Sequence, residues 1–128
     1  EEEVILNVNN KNIKTPVYVS AGQEFIASSI SSICKKKKIK PLIFGQHRCH
    51  STSLAFGGNI TELIDDLLGK ETGCTKGKGG SASINSKAIN MYGHDGLMGS
   101  NGPIGVGACF ATFPTRHASG QFWPFIFQ

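Results

Sequence analysis

Pro41-Leu42-Ile43-Phe44-Gly45-Gln46-His47-Arg48-Cys49-His50 joins an apolar run to a cluster of basic side chains. Its first half is a short apolar run between proline and glycine, which fits a buried strand. Such a strand fits an α/β fold, the class expected here. Its second half delivers His, Arg and His to one loop directly after the strand. That carboxyl end is where α/β sheets place ligand groups. His47-x-x-His50 invites a metal, but no third or fourth ligand stands at useful spacing and Arg48 between them repels a cation. Arg48 reads better as an anion contact, since its rigid fork suits phosphate or carboxylate; its plain alternative is a surface ion pair. His50, on residues alone, reads as a hydrogen-bonded, partly buried imidazole. Cys49 beside Arg48 is placed to have its thiol pKa lowered, with no base–nucleophile pair in view.

Upstream, Ser20 and Gln23 give a capping-box pattern for a helix. Ile26, Ile30, Ile33 and Cys34 then fall on one helical face. Lys35 to Lys38 close it, where cations suit the macrodipole, so the lysine block reads as a solvated helix end. Val4-Ile5-Leu6 and Pro16-Val17-Tyr18-Val19 read as brief strands around a polar loop from Asn7 to Asn12. Downstream, Asn59 caps the clearest amphipathic helix, with Glu62 at the reciprocal position. Ile60, Leu63, Ile64, Leu67 and Leu68 form its apolar face, and Gly69 ends it. Gly73 to Ser81 is a glycine-rich cationic loop without the Walker spacing. Residues 82–92 show no clear period.

Gly93 to Gly107 is the second ligand-facing candidate. Its recurrent glycines let backbone approach another surface; the plain alternative is a tight turn followed by a helix packed closely through small residues. Asn101 reads as an N-cap with Pro103 in the first turn of a helix carrying Ile104, Val106 and Cys109. Asp95 reads as a turn residue. The chain changes character at Phe113: residues 113–128 form an aromatic tail, of which Phe125-Ile126-Phe127 reads as a strand. Residues 1–112 and 113–128 are therefore the two expected units.

At 128 residues, with 39% hydrophobic and 17% charged content, the chain is large enough for one domain with a core. No apolar run approaches the ~20 residues of a membrane span. Glu1-Glu2-Glu3 is unlike a signal peptide, which leads to the expectation of an intracellular protein. Cys34, Cys49, Cys74 and Cys109 are widely spaced, which argues for free thiols. The net charge of +4 is gathered in lysine groups and suggests an anionic ligand or acidic partner. No nucleic-acid partner is expected, because the lysines lack interleaved aromatics and a recognisable module.

Several pieces, in order and spacing, resemble the α-subunit of the thiamine-diphosphate-dependent 2-oxo acid dehydrogenases, the E1 component of pyruvate, branched-chain and acetoin types. They are Tyr18 to Glu24, Gln46 to His50, Leu67 to Ser81, and Gly96 to Ala108. The resemblance implies part of a three-layer thiamine-diphosphate-binding fold, a parallel sheet flanked by helices. It implies a cofactor carbanion attacking a 2-oxo acid, loss of CO2, and acyl transfer to a lipoyl group. It implies that Arg48 and His47 contact the cofactor diphosphate and that Gly96 and Met98 hold the aminopyrimidine through backbone groups. His50 would then stand near the reacting centre as the catalytic candidate. The implied partners are an E1 β-subunit, in a heterotetramer, and a lipoyl-bearing E2.

The chain departs from the family pattern at His47, where tyrosine is usual, at His94 and Asp95, and at Ser83. The family holds Mg2+ and diphosphate through Gly-Asp-Gly closed by a later Asn-Asn, and this pair of motifs is missing. The expectation is a chain cut short before its metal motif, with a non-native or frame-shifted tail, that binds no thiamine diphosphate by itself. The rival expectation is a non-catalytic module binding an anion or a partner through the basic second half and aromatic tail. A transketolase-like relative is a third.

Overall fold

The computed structural model describes residues 1–92, 96–112 and 122–126. His94, Asp95, the tail residues from Phe113 to Gln121, and Phe127 lie outside them. The centre is strand β1 (Lys40–Phe44), flanked by β2 (Met91–Tyr92) and β3 (Phe122–Ile126) in the order β2-β1-β3. Both pairings are parallel, so the mixed α/β class read from residues 41–45 holds. Ile43 is fully buried in β1, and Phe44 pairs with Tyr92 in register with ring centroids 5.4 Å apart. Strand β3 begins earlier than the Phe125 to Phe127 reading, at Phe122. It is an edge strand, the position that a strand containing Pro124 requires.

Among the described residues there are five α-helices: α1 (Glu2–Asn9), α2 (Glu24–Lys36), α3 (His50–Ala55), α4 (Ile60–Leu67) and α5 (Asn101–Thr112). Helix α4 follows its sequence pattern closely. The Asn59 side chain accepts from Thr61 N–H at 2.8 Å, Leu63 and Leu67 are buried, and Gly69 leaves the helix at φ +74°. Leu63 joins Ile43, Cys49, Ile84 and Met91 in the main core. Leu67 joins Val4 and Ile13 in a second cluster.

That second cluster explains a correction. Residues 4–6 are helical, not extended. Val4 alone of the apolar run docks, on Ile13 and Leu67, while Ile5 and Leu6 stay exposed. Glu2 and Glu3 sit in the first turn, where carboxylates suit the dipole. Tertiary docking overrides the β-branched preference here.

Helix α2 is corrected in start and in face. It begins at Glu24, with Gln23 in the cap position and no side-chain cap hydrogen bond. Its buried residues are Ala27, Ser31 and Cys34, whereas Ile26 and Ile33 are more than half exposed. Small residues let α2 approach α3 closely, and the Ser31 hydroxyl donates to the Ala55 carbonyl at 2.7 Å. Lys35 and Lys36 form its last turn, and Lys35 to Lys38 are exposed, as the helix-end reading expects. Helix α5 packs on β1 and β3 with the same inversion: Asn101 and Gly105 face in, Ile104 and Val106 face out. Asn101 is already helical, and its side-chain amide donates to the Gly45 carbonyl instead of capping. Residues 16–19 form no strand.

Candidate functional site

Where β1 ends, Gly45 and Gln46 are buried and the chain turns through His47 and Arg48 into α3. Arg48 carries φ +60°, a left-handed conformation that costs a non-glycine residue free energy and is seen where a side chain must be aimed. Its Nη1 donates to the Val19 carbonyl at 2.9 Å. Beside it, the His47 ring meets Tyr18 with centroids 4.7 Å apart.

These residues open onto a cavity of about 500 Å³, lined by Tyr18, Gln23, Gln46, His47, Arg48 and Met98. The structure thus brings His47, Arg48 and Met98 to one place from two distant stretches of chain. Gly96, two residues before Met98, is exposed with φ +98°. The residue that sequence reading passed over is Gln46. It is 3% exposed, and its Nε2 and Oε1 both lack a hydrogen-bond partner. A buried amide with neither end satisfied costs about 1–3 kcal/mol per group. The signal that could have found it is its place beside Arg48 at the strand's carboxyl end.

His50 lies elsewhere. It is 3% exposed, with Nδ1 3.2 Å from Glu1 Oε2 and Nε2 2.7 Å from Ser81 Oγ. The trio has the order of a hydrolase triad, but the buried Ser81 hydroxyl is already engaged by the His50 ring and the Tyr18 N–H, which ties it into the fold. Glu1 and Ser81 were not singled out from the sequence. Burial pushes the Glu1 carboxyl up, yet hydrogen bonds from Ser20 and His50 and the His50 charge hold it, on balance, below its ordinary value of 4.5. A carboxylate with a depressed pKa adds stability above its unfolded value, and that contribution is lost as pH falls through the folded value. Wild type and Glu1→Gln should therefore differ in urea midpoint at pH 6, and the difference should narrow as pH falls below 4.5. Urea titrations of both proteins from pH 6 to pH 3 check this.

The Cys49 expectation is overturned. Burial pushes its thiol up to about 11. The ring of apolar neighbours decides, not the adjacent guanidinium, because Cys49 points into the main core while Arg48 is exposed. All four cysteines lie outside disulfides.

The cationic loop is shaped by a second residue that sequence reading missed. Asp66 is 1% exposed. Its carboxylate accepts from Thr75 N–H at 2.9 Å, from Thr75 Oγ1 at 2.8 Å and from Gly77 N–H at 2.8 Å. Gly77 is held at φ +72° against the Gly69 backbone, where any Cβ would collide. Lys76 and Lys78 are exposed. Among the described residues, no three or more His, Cys, Asp or Glu are grouped to hold a metal ion. Among them too, no helix is long and apolar enough to cross a membrane.

Comparison with known proteins follows the same segments. The model of a family described as dehydrogenase E1 component matches residues 1–117. The pyruvate dehydrogenase E1 component subunit alpha-1, mitochondrial, of Arabidopsis thaliana is 37% identical over 90 residues, which is 70% of this chain and 22% of that protein. The corresponding mitochondrial alpha subunit of Schizosaccharomyces pombe is 36% identical over 101 residues, 79% of this chain and 24% of that protein. That of Dictyostelium discoideum is 37% identical over 101 residues, 79% of this chain and 26% of that protein. The chain spans about a quarter of the length of these curated relatives.

Proposed function

Because the chain belongs to the dehydrogenase E1 component family, we propose that it forms one wall of a thiamine-diphosphate site in the alpha subunit of a 2-oxo acid dehydrogenase. The observation that carries this reading is the unpartnered, buried Gln46 amide on a cavity that also holds Arg48. The spare Nε2–H of that amide, beside a guanidinium, suits a diphosphate, whose oxygens only accept. Arg48 and Gln46 would hold the diphosphate, with His47 beside them, and Gly96 and Met98 would offer backbone groups to the aminopyrimidine. Thiamine diphosphate, when bound, supplies the carbanion that attacks a 2-oxo acid. The chain's own part is to bind, orient and shield that group. His50 keeps its proposed role near the reacting centre only through the loop it supports, since both ring nitrogens are engaged.

The described residues do not fit a Mg2+ site, and a hard cation needs an oxygen ligand set. We therefore propose weak binding by this chain alone. Tight binding would need the remaining length that the relatives have, together with a beta subunit. Exposed Phe25, Ile104, Val106 and Phe110 favour such a partner surface. The relatives' names place those proteins in mitochondria, and the same compartment is proposed here for a eukaryotic source.

Gln46→Leu separates this reading from a purely structural one. Removing two unsatisfied polar atoms should raise Tm by about 4 °C while weakening binding of inorganic diphosphate. Calorimetry and diphosphate titration of the variant check both. A variant that loses stability and binds diphosphate unchanged overturns the assignment.

A further inference from the structure

We propose that Glu1 is a positioning residue. It fixes the His50 ring in its Nδ1–H form and, through His50 and Ser81, holds the Tyr18–Ser20 wall of the Gln46 cavity from behind. Residues 18–20 belong to no helix or strand, so their backbone groups need other partners. Side chains supply them. Tyr18 N–H donates to Ser81 Oγ at 2.8 Å. The Val19 carbonyl accepts from Arg48 Nη1 at 2.9 Å. Ser20 N–H donates to Glu1 Oε1 at 2.8 Å. The Ser20 hydroxyl donates to the same oxygen at 3.0 Å and accepts from Ser51 N–H at 3.0 Å.

The protons in this network can be placed. An ionised carboxylate only accepts, so the nitrogen 3.2 Å from Glu1, Nδ1, carries the ring proton. Nε2 is then an acceptor, and the Ser81 hydroxyl donates to it at 2.7 Å. The competing acceptor, the Tyr18 carbonyl, is farther from Ser81 Oγ, at 3.4 Å. The Ser81 oxygen keeps its lone pairs for Tyr18 N–H. With the other tautomer, the Nδ1 lone pair would face the carboxylate, and the Ser81 proton would have only the longer contact. One carboxylate thus sets the proton order from helix α1 to the cavity wall. Tyr18 is the link, since it lines the cavity and packs on His47. The wall is a feature of the fold whatever fills the cavity. Only the consequence for a ligand rests on the function proposed above.

The experiment is long-range 1H–15N correlation of the His50 ring at a pH where it is neutral, with amide hydrogen exchange at Tyr18 and Ser20. The wild type should show the Nδ1–H form alone. In Glu1→Gln the amide oxygen stays on Ser20 and its NH2 group faces Nδ1. The ring should then switch to the Nε2–H form, which competes for the Ser81 oxygen, and exchange at Tyr18 should rise about tenfold while Ser20 keeps its acceptor. In Ser81→Ala the ring should keep Nδ1–H while exchange at Tyr18 rises about tenfold. A wild-type ring in the Nε2–H form overturns the proposal, and so does a Glu1→Gln ring that does not switch. If Glu1→Gln does not fold, the wild-type spectrum and Ser81→Ala decide. None of these measurements needs a ligand, so the diphosphate reading can fail while this one stands, and the reverse.

Discussion

Asp66→Ala should lower the unfolding free energy by about 3 kcal/mol or more, near 10 °C in Tm for a chain of this size. Asp66 is 1% exposed and takes two backbone N–H groups and a hydroxyl from the loop below it. Alanine leaves those donors without an acceptor, and an unmade buried hydrogen bond costs more than a made one contributes. The loss also spreads. Thr75 Oγ1, freed from Asp66, is the acceptor for Gly79 N–H at 2.6 Å, so the knot that closes the cationic loop opens from both ends. Asp66→Asn keeps one acceptor oxygen and should cost roughly half as much. Thermal unfolding of both variants checks the order. Equal, small losses would mean that water replaces the carboxylate without penalty.

Arg48→Ala is the second large effect, on binding. In the proposed complex with a beta subunit, affinity for thiamine diphosphate with Mg2+ should fall about 10- to 100-fold, the usual worth of a charge-assisted hydrogen bond. Arg48→Lys should recover only part, because an ammonium restores charge but not the fork that also reaches the Val19 carbonyl. Isothermal titration on the three proteins gives the ranking. Unchanged affinity in Arg48→Ala would remove the guanidinium from the site.

Much of this was legible where local signals and tertiary packing agree. The β1 run, the Asn59-capped helix and the loop after Phe44 each announce themselves within a dozen residues. The resemblance to the E1 family also implied one pocket for Arg48 and Met98, although 49 residues of chain lie between them and only a fold can bring them to one cavity. What failed was local pattern overridden by distant contacts. Val4 turns helical because Ile13 and Leu67 receive it. Helix α2 turns Ala27 inward because α3 needs a close approach, so its isoleucine stripe points outward. Glu1, Asp66 and Ser81 were illegible for a different reason. Each acts on partners 9 to 63 positions away, and no spacing rule marks a lone carboxylate or serine as a buried acceptor. Gln46 was hidden because an unsatisfied amide is a property of surroundings, not of residue type.

The most direct measurement follows the Gln46 side-chain NH2 resonance while inorganic diphosphate is titrated into the chain. If the cavity holds the phosphate end of a cofactor, that resonance and the Arg48 side chain should shift together, saturably, and Arg48→Ala should abolish the response. A Gln46 resonance that stays still while the lysine-rich segments alone respond would contradict it, leaving the diphosphate on the surface charge and the cavity without its ligand.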